Sequence, residues 1–201
     1  IVCLVCIVWL LFGYSLAFTN GGPYNDWVGG TAKFFLSGVT ASSEVATFSN
    51  GVAIPEYAYI CFQMTFATIT PALIVGAIAE RMKFSAVLIF MLLWVLFIYI
   101  PIAHMVWYWP GPDAIAAAAT AVTNASGTER IVAQASLDAT LRDAGLLFRW
   151  GAIDFAGGTV VHVNAGIAGL VTALIVRPST GGGQGPMLPH SLGLGMIAAP
   201  L

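Results

Sequence analysis

The sequence predicts an all-α polytopic membrane protein, a bundle of transmembrane helices, on three observations. Of its 201 residues 59% are hydrophobic and only 8% charged, where a soluble domain carries roughly 45–50% and 25%; mean hydropathy is +0.89. Four apolar stretches, at about residues 1–18, 55–79, 84–107 and 155–176, reach or approach the about 20 residues that a bilayer core about 30 Å thick requires of a helix. Nothing alternates like the strands of an outer-membrane barrel, and helices pair their own backbone groups where lipid offers no partner.

Taken in order, the first stretch opens on Ile1 without an initiator Met, a basic flank or a small-residue cleavage site, so it does not read as a signal peptide. The turn from Glu80 to Phe84 carries Arg81 and Lys83, and Arg177 directly follows the fourth stretch. By the positive-inside rule both belong on the cytoplasmic side, so the first span runs outward and the second inward. Residues 19–54 and 108–153 then become long outer loops, in which Lys33, Arg130, Arg142 and Arg149 are diluted by acids. Trp27, Trp107, Trp109 and Trp150 near span ends fit an interfacial aromatic belt.

Within 108–153, an alanine-rich piece (114–119) precedes a charged one (129–149). Asp138 and Arg142 at i,i+4, with Ile131, Ala135 and Leu141 loosely periodic, predict a short surface helix without an evident function. The triplet Asn124-Ala125-Ser126 matches a glycosylation acceptor no better than chance does. A fifth apolar run, 191–201, follows a Gly/Pro-rich loop and is read as a partial span, so both ends read as truncated.

The net charge of −2 with scattered Lys and Arg excludes a nucleic-acid or basic membrane-surface patch. Cys3, Cys6 and Cys61 lie in apolar stretches without metal-ligand spacing and read as buried small hydrophobes. No Ser/His/Asp or Cys/His constellation is visible. The Gly181-Gly182-Gly183 run follows a helix rather than opening one after a strand, which argues against phosphate binding.

His162 is the most informative polar residue, because an ionisable side chain inside a span is expensive and by default functional. On a regular helix Gly158, Ala165 and Gly169 share a line within about 20°, with His162 about 40° away. It is therefore either hydrogen-bonded in a close helix interface or an imidazole along a narrow path, suited to relaying a proton or holding a small donor such as ammonia. Asp154 sits where a carboxylate caps a helix start, and a fixed anion near a pore mouth would also favour cations. Phe62 and Phe66, at i,i+4, are packing residues or a hydrophobic constriction with cation–π faces. Trp107 either anchors the interface or holds a cation over its indole. His104, three residues after Pro101, reads as interfacial, and His190 as a solvated loop residue.

Five segments in order, Gly13-Tyr14-Ser15-Leu16-Ala17-Phe18, Phe62-Gln63-Met64-Thr65-Phe66-Ala67, Gly76 to Lys83, Ile102 to Trp107 and Asp154 to Ala165, resemble the ammonium transporter family, bacterial type. The resemblance implies that the four stretches are the second to fifth helices of an eleven-helix fold, with the sixth beginning at 191–201. It implies that Trp107 and Phe62 belong to an outer aromatic site recruiting ammonium, that Phe66 is one gate phenylalanine, that His162 is the first of twin pore histidines, and that Asp154 serves structure and cation recognition. The 46 residues between Trp107 and Asp154 depart from many relatives, whose connection is much shorter.

The function implied is ammonium transport or conduction of ammonia, without covalent catalysis or a cofactor, with methylammonium as analogue. The resemblance further implies a homotrimer in the inner (plasma) membrane and a PII-type regulatory partner. An ammonium-sensing receptor domain is the alternative. A membrane enzyme using His162 and Asp154 is disfavoured, since a helix would separate them by about 12 Å.

Overall fold

The computed structural model describes residues 1–79 and 81–176. Glu80, Arg177, Gly181 to Gly183, His190 and the expected partial span 191–201 lie outside the described residues.

Helix α1 covers Val2–Phe18. A two-stranded antiparallel hairpin follows, β1 (Glu44–Ala46) and β2 (Ala53–Pro55), with Val45 opposite Ile54. Helix α2 is Glu56–Ile78, and a tight turn leads into α3, residues 84–107. Then come α4 (Pro112–Asn124), α5 (Gly127–Arg142), a single turn α6 (Leu146–Arg149), and α7 (Gly158–Ile175). Among the described residues three helical runs are long and apolar enough to cross a membrane: α2, the run beginning at Phe84, and α7; α1 is apolar but shorter. The architecture is a partial helical transmembrane bundle. The predicted surface helix is α5, but Asp138 accepts from Gln134 Nε2 at 2.9 Å instead of pairing with Arg142. The alanine-rich piece, for which no helix was predicted, lies within α4, and neither the hairpin nor α4 carried a sequence signal strong enough to predict.

Helix α2 packs against α7, α1 and α3, and the core between them holds Trp9, Tyr14, Ile60, Ile74, Met91 and Tyr99. In lipid such contacts are stabilised by close packing and hydrogen bonds rather than by loss of water. Trp9 Nε1 accordingly donates to Ile60 O at 3.2 Å, between two spans. Three helices widen to i→i+5 turns, at Trp9–Gly13, Val95–Tyr99 and Gly158–Val163. The second immediately precedes Pro101, which has no N–H to offer the carbonyl four residues earlier and whose ring crowds it.

Two readings are corrected here. Cys3 and Cys61 are exposed rather than buried among the described residues, and Cys6 is half-buried. His104 is not interfacial: it is fully buried, with Nδ1 at 2.9 Å from Ala17 O and Nε2 at 2.8 Å from Asn25 O, its ring stacked on Tyr108.

Segments 19–54 and 108–153 pack on each other at one end of the bundle. Asp143 Oδ1 accepts from Asn20 Nδ2 at 2.6 Å, from Asn25 Nδ2 at 3.3 Å and from Tyr108 Oη at 2.9 Å. Arg149 pairs with Asp26, and Gly145 N donates to Tyr108 O at 2.9 Å. Burial first, then the Asp143 carboxylate, pushes the Tyr108 phenol above its usual range and keeps it a donor. Gly145 approaches α3 so closely that a Cβ would lie 2.2 Å from His104 O and 2.5 Å from Met105 O. Backbone atoms cannot yield as a flexible side chain does, so Gly145→Ala should destabilise the full-length protein by about 1–3 kcal/mol. Thermal unfolding of the detergent-solubilised protein measures this, and an unchanged midpoint would refute the close approach.

Candidate functional site

The i,i+4 spacing on α2 brings the rings of Phe62 and Phe66 edge to face, 5.0 Å between centroids. At the end of α3, Trp107 places its indole 5.4 Å from the Phe66 ring at 60°. Trp107 is only 7% exposed, and its Nε1 donates to Asp154 O at 2.7 Å. It is thus a buried, hydrogen-bonded ring and not a belt residue, since the segment before α7 covers it; Trp27 and Trp150 are the exposed ones.

Phe62 and Trp107 line a cavity of about 450 Å³ at the end where the two long segments meet, together with Tyr59, Gln63 and Tyr108. Phe66 touches both without lining the cavity. Aromatic faces carry negative charge density, so such a chamber attracts a small cation that has shed part of its water.

Asp154 acts as the cap its position predicts, in a fuller form. The residue flanking the first turn of α7 is Gly157, left-handed at φ 87°, where a Cβ would also meet Val161 Cγ2 at 2.7 Å. Three residues earlier, Asp154 Oδ1 accepts from the amides of Gly157 and Gly158 at 2.6 and 2.9 Å, and Oδ2 from Thr159 and Val160 at 2.8 Å each. Four amides at a helix start are what an uncapped terminus leaves orphaned. With both oxygens engaged and 8% exposure, the carboxylate does not line the cavity. It acts on the site through its own carbonyl, which holds Trp107.

His162 lies apart from the aromatic group, exposed on α7, with its N–H on Gly157 O at 3.0 Å and Nδ1 3.3 Å from the same oxygen. The wide turn over Gly158–Val163 removes the predicted small-residue stripe: Gly158 is exposed while Ala165 is buried. A 3.6-residue period does not apply across an i→i+5 turn, so the two do not share a face.

Two features were missed. Gln63 Oε1 is buried without a hydrogen-bond partner among the described residues, while Nε2 donates to Tyr59 Oη at 3.3 Å. A polar amide in an apolar span was the available signal. Glu56, 3% exposed at the start of α2, accepts from Tyr14 Oη at 2.7 Å and pairs with Lys33, whose ammonium stands 5.8 Å from the Tyr14 ring. Only a fold that returns residue 33 to the top of α2 makes that pair, and no local pattern announces it.

Comparison with known proteins gives a consistent result. The model of the Ammonium Transporter Family matches residues 1–201. An ammonium transporter of Bacillus subtilis is 37% identical over 95% of this chain, covering 36% of that protein. One from Aquifex aeolicus is 37% identical over 86% of this chain and 31% of its own length. The crystal structure of Saccharomyces cerevisiae Mep2 superposes with a TM-score of 0.60 at 28% identity, over 87% of this chain and 30% of Mep2. The chain therefore spans about a third of the length of these relatives.

Replacing Asp154 by Asn turns one capping oxygen into an N–H donor facing two amides. The full-length variant should lose about 1–3 kcal/mol of stability. Parent-like thermal unfolding would remove the carboxylate from this role.

Proposed function

The chain belongs to the ammonium transporter family, and from that premise we propose that the full-length protein moves ammonium across the cell membrane. The supporting observation is the aromatic cavity lined by Phe62 and Trp107, in which the Asp154 carbonyl fixes the Trp107 indole against Phe66, itself paired edge to face with Phe62. In this reading ammonium is recruited at Trp107 and Phe62 by cation–π attraction and passes Phe66 as the gate. Gln63 lines the cavity and its Oε1 has no hydrogen-bond partner among the described residues, so a rotation of the amide would offer that oxygen to one N–H of the arriving cation. The cation gives up its proton before ammonia travels beside His162, whose two ring nitrogens offer a hydrogen-bond partner. The step is transport, with no covalent catalysis.

The end formed by 19–54 and 108–153 faces outward and the turn with Arg81 and Lys83 faces the cytoplasm, in accord with the positive-inside rule. Family membership supports a homotrimer in the inner (plasma) membrane, regulated from the cytoplasmic face by a PII-type protein.

The test is methylammonium uptake by transport-deficient cells expressing the full-length protein. Loss of one desolvated cation–π contact is worth about 2 kcal/mol, so Trp107→Leu should raise KM roughly thirtyfold with the variant still in the membrane. An unchanged KM would remove Trp107 from recruitment. His162→Ala should abolish or alter uptake at normal membrane levels, and parent-like uptake would take His162 out of the path. A well-inserted parent that moves nothing would favour the sensing reading instead.

A further inference from the structure

Beyond Trp107 and Phe62 the same cavity has a second aromatic wall. The Phe48 ring, in the hairpin turn between β1 and β2, lies 5.3 Å from Trp109 and 5.3 Å from Phe155, and all three line the cavity. Trp109 is backed by Phe148, stacked at 5.2 Å and 19°. Phe48 and Phe155 are more than half exposed among the described residues, and Trp109 is half-buried.

Two strands of three residues are marginal by themselves, and this hairpin is held from outside. Both carboxylate oxygens of Asp113, in the first turn of α4, accept from Gly51 N at 2.8 and 3.0 Å. Gly111, at φ 89°, comes so near β1 that a Cβ would lie 2.8 Å from Ala46 Cβ. The start of the long 108–153 segment thus clamps the turn that carries Phe48. Lys33, the cation among the lining residues, is paired with Glu56, so the wall is not offset by an unpaired positive charge. A volume of about 450 Å³ far exceeds the roughly 30 Å³ that a water-sized ion occupies. There is room for a methylated cation and for two sites in series.

We propose that Phe48, Trp109 and Phe155 form an outer subsite for small organic ammonium cations, in series with Trp107 and Phe62, and that Asp113 is the positioning residue that holds Phe48 in it. The proposal rests on the reading of the cavity as a cation chamber but not on transport itself, so its test is equilibrium binding.

Methylammonium binding to the purified full-length protein is followed by isothermal titration calorimetry, with thermal unfolding alongside. An exposed cation–π contact is worth about 0.5–1 kcal/mol, so Phe48→Leu and Trp109→Leu should each weaken Kd roughly two- to fivefold at unchanged unfolding temperature. Phe48→Tyr, which keeps the ring, should bind like the parent. Asp113→Ala should weaken binding like Phe48→Leu, and Asp113→Asn, which keeps an acceptor for Gly51 N, should restore it. Parent-like Kd in both leucine variants overturns the subsite, as does a parent that binds no methylammonium. An Asp113→Ala protein with lowered unfolding temperature and parent-like Kd overturns the positioning role. Uptake decides transport separately: a parent that binds with the predicted variant pattern yet transports nothing sinks the transport reading and leaves the subsite standing.

Discussion

The carboxylate of Asp154 on the first amides of α7 is the interaction on which the candidate site depends. A span that starts near lipid has no water to satisfy its leading N–H groups, and each one left alone costs several kcal/mol. One side chain satisfies four of them. Satisfying them fixes the backbone of residues 154–157, and the Asp154 carbonyl then points at the Trp107 indole. Helix initiation and the placement of the cavity-lining Trp107 ring on another span are therefore one arrangement, and Gly157 in its left-handed conformation lets the chain make the turn.

A second constraint runs through the spans themselves. The wide turns at Trp9–Gly13, Val95–Tyr99 and Gly158–Val163 each shift which residues face the core. Such turns are rare and are found frequently at functional sites. Here one carries His162 and another directly precedes the helical segment that ends in Trp107. Regular helices would aim these side chains elsewhere, which is the physical content of the failed small-residue stripe.

At the end of the bundle formed by 19–54 and 108–153 the structure replaces two nominal loops with a built surface. Asp143 gathers Asn20, Asn25 and Tyr108, Arg149 meets Asp26, and Asp113 holds the hairpin turn. The Asp143 and Arg149 contacts join segments more than a hundred residues apart beside the aromatic cavity, and Asp113 fixes the hairpin turn whose Phe48 lines it, so the 108–153 segment is packed against that end of the bundle rather than merely bridging two helices.

Composition and run length alone determined the fold class, because a bilayer leaves few options: about 20 apolar residues in a row must become a helix that satisfies its own backbone. The Phe62 and Phe66 pair and the capping role of Asp154 were legible for the same reason, being set by spacing of at most six residues. The tertiary structure decided everything that depended on distance between segments: the buried His104 between two carbonyls, the Lys33 and Glu56 pair, the buried Gln63 oxygen without a partner among the described residues, and Phe48 beside Trp109 and Phe155. It also decided the face on which His162 lies, since a hydrogen-bond ladder that changes from i→i+4 to i→i+5 leaves no mark in a pattern of apolar residues. Local spacing encodes what one element does with itself, and only packing encodes what two elements do with each other.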